Sequence, residues 1–525
     1  MLRHKAITLL GVTTLAASLI ACSSSSNSTP SSAASASGVS TGSVATSGQT
    51  LTVGAPAGPR GFDPYNCSSG PEQNVLLAAY DTLLRAAPDG TFQPSLAVAD
   101  KYLNDTTFTL KLRSDLKFAD GSALDATAVK TNLDRATKTL TQITAPFATS
   151  VKAVTVVDPT DLTITLSRPN PDLPSILSSC AGMIVSPKLL ATPADLATKM
   201  DGSGPYTYDA GNSITNSAYT FQHKNTYWNA AAYSYHTVTF KVISDFNAEY
   251  NALVSGQIDI AAGTPQELDT AKSAGMASVQ GNINFYMVNL LDNAGTKVPA
   301  LKDVRVRQAL NYAIDRAAIV KTFWGATGRP TDQSLSNKAP GYDAALDSAY
   351  AYDPIKARSL LAAAGYKGGF TMPVLSTQAF QLDQVLQAVA GYWAKIGVTV
   401  QDNVKQIGDW STAATTTAYP AVISPFTGIP PFTALAQTFS PVSPLNPFHT
   451  SDPAFLTALG QAGAATGSGG HAALTAASKQ LIDQARYAGI GYDVVIWFYN
   501  PKKVTSIEMQ QGEAVPHFYN WKPGA

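Results

Sequence analysis

Ser114-Asp115-Leu116-Lys117 matches a nucleophile signature, a serine three residues ahead of a lysine that would take its proton. The SDN and KTG segments that this chemistry needs are absent, and the match falls in a strand-to-loop stretch, so it is read as coincidence. The six histidines fall in no HExxH or comparable ligand spacing, which leaves a zinc hydrolase without support. There is no GxSxG elbow, no GxxxxGK[ST] phosphate loop and no complete GxGxxG. Paired carboxylates for glycoside hydrolysis are defined by a separation in space, which a sequence does not give. The chain has three cysteines, Cys22, Cys67 and Cys180, and no CxxC, so metal or redox chemistry through sulfur is disfavoured. Cys67 and Cys180 are available for a disulfide in an oxidising compartment; two buried free thiols are the alternative.

The first residues say where such chemistry would take place. Arg3 and Lys5, the apolar run Ala6 to Ile20 and the small Ala21 form a secretory leader, residues 1–21. Cys22 directly after it resembles the bacterial lipobox cysteine, whose thiol takes a diacylglycerol and becomes the mature N-terminus. Residues 23 to 49 are nearly all Ser, Ala, Thr and Gly and cannot bury enough apolar surface to fold. Residues 22–49 therefore read as a lipidated tether with a reach on the order of 30 Å. Two or more acyl chains make a stable anchor where one is marginal. The expectation is a body outside the cytoplasm, leashed to the outer face of the cell membrane. No later apolar run reaches the roughly 18 residues of a membrane span. Loss of the leader leaves 34 basic against 36 acidic residues, which gives nucleic acid nothing to bind.

Beyond residue 50 the chain is longer than one hydrophobic core serves, so two or three domains are expected. Its elements alternate between strands and helices. Phe108, Leu110 and Leu112 recur with the period of a half-buried strand, as does Leu162 to Leu166. Asp120-Gly121 marks a turn and Asp125 caps a helix that carries Ala128, Val129, Asn132 and Leu133. A helix is expected from Val304 to Val320, with Val306, Leu310, Ala313, Ile314, Ala317 and Val320 on its apolar side and Arg305 and Arg307 in water. Another starts at Asp353-Pro354 and ends at Gly365, and a third runs from Leu382 to Lys395 before a strand at Val398 to Val400. The class is α/β with mixed sheets.

From Leu51 onward the chain resembles the bacterial extracellular solute-binding proteins of the peptide, nickel and oligosaccharide class, family 5. The likeness rests on an ordered series: Tyr80-Asp81-Thr82-Leu83-Leu84, Pro88-Asp89-Gly90, Pro94-Ser95-Leu96-Ala97, Leu116 to Gly121, Gly202-Ser203-Gly204-Pro205-Tyr206, Asn225-Thr226-Tyr227-Trp228, Leu253 to Asp259, Val304 to Arg316 and Asp353-Pro354. The resemblance implies a two-lobed periplasmic-binding-protein-like fold with an extra domain. Lobe I would take 50–78, 204–290 and 496–525, the added domain 79–203, and lobe II 291–495. It also implies a substrate-binding subunit of an ABC importer that shuts around a peptide-like or other neutral or apolar solute. Such a protein would be a monomer, without cofactor or catalysis, whose partners are the permease subunits. A secreted lipoprotein hydrolase is the alternative.

Peptide-binding members hold the ligand's ammonium with an aspartate in a segment resembling W-x-x-D-Y-x-x-P. With Pro431 on that proline, Ser424, Thr427 and Gly428 stand where Trp, Asp and Tyr would be. Trp410 to Ser451 contains no Asp, Glu, Lys or Arg, so an ammonium there would have no local counter-charge. The ligand is therefore expected not to be a peptide held by its N-terminus in the usual way, unless another lobe supplies the acid, for instance Glu72. Pocket walls are expected at Tyr65, Asn66, Phe285, Tyr286, Asn289, Trp410, Ser424, Phe426, Thr427, Trp497 and Tyr499, whose aromatic rings and polar edges suit an uncharged organic face. None of these eleven positions is a histidine, which disfavours nickel.

Overall fold

The computed structural model describes residues 49–524 except 68–69, 140, 142–143, 338, 428–429, 466–467, 511–512 and 514. The leader, Cys22 and the tether up to residue 48 lie outside the described residues. Alternation of apolar residues builds the sheets as the sequence predicts. Thr107–Leu112 buries Phe108, Leu110 and Leu112, and Asp161–Leu166 buries Leu162, Ile164 and Leu166. These two strands sit at the centre of a four-stranded antiparallel sheet with Ala97–Asn104 and Val151–Val156 on its edges. The Ala126–Ala136 helix packs its buried face into the same cluster, and the Asp125 carboxylate accepts the Ala128 N–H to start it.

An eleven-stranded mixed sheet organises the rest. Its strands follow the order Val398–Val404, Phe370–Ser376, Ala421–Thr427, Ala277–Leu290, Tyr487–Tyr499, Ile260–Gly263, Thr50–Ala55, Thr237–Val242, Ala218–His223 and Tyr206–Tyr208, with Arg329–Pro330 paired to Tyr487–Tyr499. The two long antiparallel strands in the middle, Ala277–Leu290 and Tyr487–Tyr499, serve both halves. At one end Tyr487–Tyr499 pairs with Ile260–Gly263, and at the other Ala277–Leu290 pairs with Ala421–Thr427. Between these ends their mutual register shifts twice, between Asn282 and Phe285 and between Tyr286 and Met287. Such irregularities bend a strand pair and interrupt its ladder. At the first shift the Asp493 carboxylate accepts the Asn284 N–H at 2.9 Å and the Asn284 side-chain amide at 2.8 Å.

Hydrophobic packing follows this division. Leu51, Val53, Phe221, Phe240, Trp497 and Trp521 share one core, while Val306, Leu310, Val374, Leu386 and Trp393 share another beyond the crossing strands. A further cluster joins Phe285, Leu435, Phe455, Ala477 and Tyr487. No helix among the described residues is long and apolar enough to cross a membrane.

The expected Val304 to Val320 helix is two helices, Val304–Tyr312 and Arg316–Trp324. Asp315 restarts the second by accepting the Ala318 N–H, so the axis turns and Ala317 faces water, while Val306, Leu310, Ala313, Ile314 and Val320 stay buried. Arg307 also departs from the wet side. It is buried and donates to the carbonyls of Leu301 and Gln484, at 2.7 Å and 2.9 Å for the nearest nitrogens.

Cys67 and Cys180 are joined as a disulfide, with Cα atoms 6.4 Å apart and a sequence separation of 113. A closed loop of this size restricts the unfolded chain strongly. Replacing both cysteines with serine is expected to lower the unfolding free energy by about 2–5 kcal/mol, read as a lower midpoint in urea.

Candidate functional site

A cavity of about 790 Å³ opens between segments that belong to different cores. One wall comes from Ala86 to Phe92, Tyr102 and Pro171 to Ser178. The facing wall comes from Ser334 to Asn337, Ala339 to Tyr342, Pro430 and Pro431, Ala462 and Ala465, Gly470 to Ala472, Leu474 and Thr475, and Tyr492; Glu513 reaches in from the C-terminal segment. Its volume is that of a site for a drug-sized organic ligand. Hydroxyls and amides are spread around it, on Thr91, Tyr102, Ser175, Ser336, Asn337, Tyr342 and Thr475.

The charge in the cavity is one-sided. Asp89, Asp172 and Glu513 line it together with His471, and no described lining residue is Lys or Arg. The Thr91 hydroxyl and N–H hold the exposed Asp89 below the usual carboxylate range. Burial pushes Asp172 up to about 6, with the Thr433 N–H pulling in the opposite direction, and burial pushes Glu513 up to about 7. His517 lies 3.8 Å from Glu513, and burial lowers it to about 4, so at neutral pH it gives Glu513 no counter-charge. Behind the wall, Arg329 donates to the lining Tyr342 hydroxyl at 3.0 Å but is itself ion-paired with Asp347.

Nine of the eleven positions expected from sequence are described with their side chains, and none of these nine is in this lining. Tyr65 is in the core: its hydroxyl donates to the Asn132 carbonyl at 2.8 Å and Arg135 covers its ring, which ties the Ala126–Ala136 helix to the short turn at Pro64–Asn66. Asn66 beside it is exposed. Phe285 and Tyr286 are buried, Phe285 one layer behind the lining Tyr492 with ring centres 5.3 Å apart, Tyr286 against Trp324 at 4.5 Å. Asn289 and Ser424 are brought together on neighbouring strands, with the Asn289 amide donating to the Ser424 hydroxyl at 3.0 Å. Trp410 packs beside Leu375 and Val422, and Trp497 lies in the first core with Tyr499 packed against it. The backbones of Phe426 and Thr427 pair with Phe285 and Asn284; their side chains lie outside the described residues. Glu72 is buried and its carboxylate lies 3.3 Å from Arg60, away from the cavity lining. Among the described residues no group of three or more His, Cys, Asp or Glu is placed to hold a metal ion.

Some residues of the ordered series do converge. Asp81 accepts hydrogen bonds from the Tyr227 hydroxyl at 2.7 Å, the Ser203 hydroxyl at 3.1 Å and the Trp228 indole at 3.4 Å. Burial raises the Asp81 carboxyl, and these donors oppose that shift. The network is a scaffold that ties three distant segments together behind the cavity wall.

Residues 91–443 match the model of the bacterial extracellular solute-binding proteins, family 5 middle region. The glutathione-binding protein GsiB of Pectobacterium atrosepticum is 30% identical over 356 residues, covering 66% of this chain and 67% of the relative. The protein of the same name from Escherichia coli K12 is 28% identical over 358 residues, covering 66% and 68%. Among solved structures, HbpA2 from Haemophilus parasuis superposes with a TM-score of 0.81 at 21% identity, covering 91% of this chain and 100% of its own. The unliganded open form of the periplasmic murein tripeptide binding protein MppA gives 0.78 at 21%, covering 90% and 97%. At these identities the structural likenesses speak for the two-lobed fold alone.

Proposed function

Because the chain belongs to the bacterial extracellular solute-binding proteins of family 5, we propose that it captures a small organic solute between its lobes and hands it, unaltered, to the permease of an ABC importer. The cavity carries this reading: about 790 Å³ walled by segments from separate cores, beside a sheet whose strands Ala277–Leu290 and Tyr487–Tyr499 run between its two halves. A solute that touches both walls binds the closed form better than the open one and so shifts the equilibrium between them; one that touched a single wall would shift nothing. Micromolar capture requires about −8 kcal/mol, in range for a largely buried small molecule. In this reading lobe I comprises 50–78, 204–290 and 496–525, the added domain 79–203 and lobe II 291–495. Acylation of Cys22 would keep a monomeric body close to the permease on the outer face of the cell membrane. Native mass spectrometry of the purified protein tests capture directly: a stoichiometric small solute supports it, and a covalently altered product released on incubation would sink it.

The ligand's charge follows from the lining. Three carboxylates and no Lys or Arg favour a cationic or neutral solute over an anion. The acids come from Asp89, Asp172 and Glu513, whereas Trp410 to Ser451 supplies none, so any ammonium would be held from a different side than in the peptide-binding pattern. Glutathione, the ligand in the relatives' name, is therefore expected to bind at least tenfold more weakly than the same tripeptide with its carboxyls amidated. The affinity of the amidated form should rise as pH goes from 6 to 8, because Glu513, raised to about 7, gains its negative charge over that interval. Calorimetry with both compounds checks this, and tighter binding of the free acid would overturn it.

A further inference from the structure

The Pro431–Phe439 helix starts on Pro430, which has no side-chain oxygen, and no side chain of its own segment caps it. Pro431 also lacks an N–H, so the Phe432 and Thr433 N–H groups carry the positive end of the helix. The group that meets the Thr433 N–H is the Asp172 carboxylate, 2.6 Å away and 261 residues earlier in the chain. Asp172 stands at the N-cap position of its own helix, Leu173–Leu177, yet makes no capping bond there. Its carboxylate is turned to a different helix.

The two helices pack in separate cores. Leu173 and Leu177 join the cluster of the four-stranded sheet, whereas Leu435 and Phe439 join Phe455 and Tyr487. Asp172 lines the cavity on one side and Pro430 and Pro431 line it on the other. Pro169 adds to the same contact, lying 3.9 Å from where a Cβ on Gly463 would sit.

We infer that Asp172 is a latch, a helix cap supplied across the cleft that holds the two bodies together over the cavity. The useful part is the acceptor oxygen; the charge is a cost, since burial pushes this carboxyl up to about 6. Asp172→Asn keeps an acceptor without the charge and should close at least as well as the wild type. Asp172→Ala removes the acceptor and should move the balance toward the open form by roughly 2- to 30-fold, the range that helix caps cover.

The test uses the full chain stripped of co-purifying solute, so it reads the latch whether or not the transport reading holds. Hydrogen exchange at Thr433 is expected to speed up by at least twofold in D172A and to stay at the wild-type rate in D172N. Small-angle scattering should show a larger radius of gyration for D172A alone, with the melting temperature unchanged. If D172A melts early, D172L fills the same space without an acceptor and makes the comparison. Equal Thr433 exchange and equal radius in wild type and in a folded D172A or D172L would overturn the inference.

Discussion

A tryptophan placed on either wall of the cavity is expected to abolish capture. Ser175, on the short Leu173–Leu177 helix, and Ala472, on the Ser468–Asp483 helix, face the same space from opposite sides. An indole occupies much of the room that a small ligand would fill, and buries roughly 150–250 Å² in doing so. The ligand then loses its contacts with one wall, and with them the preference for the closed form. S175W and A472W should each weaken binding of the co-purifying solute by at least about 100-fold, about 2.7 kcal/mol. Neither side chain is in a core, Ser175 being half-buried and Ala472 exposed, so the melting temperature should move little. V442W is the control: Val442 is 85% exposed and outside the lining, and its variant should bind like the wild type. The double comparison separates a site shared by two walls from one that lies on a single wall. Full binding by A472W together with loss in S175W would restrict the site to the first wall and remove the mechanical basis for closure.

The difference between what could and could not be read from sequence has a physical origin. Phe108, Leu110 and Leu112 were legible because a strand's faces alternate with period two, and Asp353-Pro354 was legible because helix ends need a side-chain acceptor and tolerate proline. Asp315 carried the same signal in the middle of an apolar periodicity, and the periodicity hid it: of that series only Ala317 leaves the buried side when the helix breaks. Arg307 looks like a solvated residue because its acceptors are carbonyls of Leu301 and Gln484, which no residue pattern announces. The cavity is harder still. Its walls come from loops and helix ends as far apart as Ala86 and Glu513, so its chemistry is a property of how the segments meet. The aromatic positions chosen near strand ends pointed to the right sheet, and Phe285 lies one layer behind the wall, but its ring is spent on Tyr487 and Tyr492. The absence of acids in Trp410 to Ser451 was legible; the acids that replace them in the cavity were not, because Asp89, Asp172 and Glu513 share no spacing.

Breaking the Arg316–Asp332 pair is expected to have the largest effect on stability. The Arg316 guanidinium lies 2.6 Å from the Asp332 carboxylate with 8% and 1% of the side chains exposed. Arg316 also donates to the Tyr350 carbonyl at 2.9 Å and to the Asn311 side chain at 3.0 Å, and Asp332 accepts the Tyr350 N–H at 2.8 Å. The pair thus fixes the base of the segment from which Ser334 to Asn337 and Ala339 to Tyr342 reach into the cavity. R316M leaves a buried carboxylate with no counter-charge and should cost about 3–5 kcal/mol in urea denaturation. Arg316 now lowers the Asp332 carboxyl against a larger upward push from burial, so its loss lets that carboxyl rise further. An acid raised in the folded state binds its proton more tightly there than in the unfolded chain, and stability is lost as pH climbs. The deficit of R316M should therefore be smaller at pH 5 than at pH 8. Adding D332L removes the stranded charge, and the double variant R316M/D332L should recover most of the loss with no such pH dependence. Because the same residues anchor one cavity wall, R316M should bind solute less tightly even where it stays folded, and the double variant, which restores packing but not the Tyr350 N–H bond, should recover stability more completely than affinity.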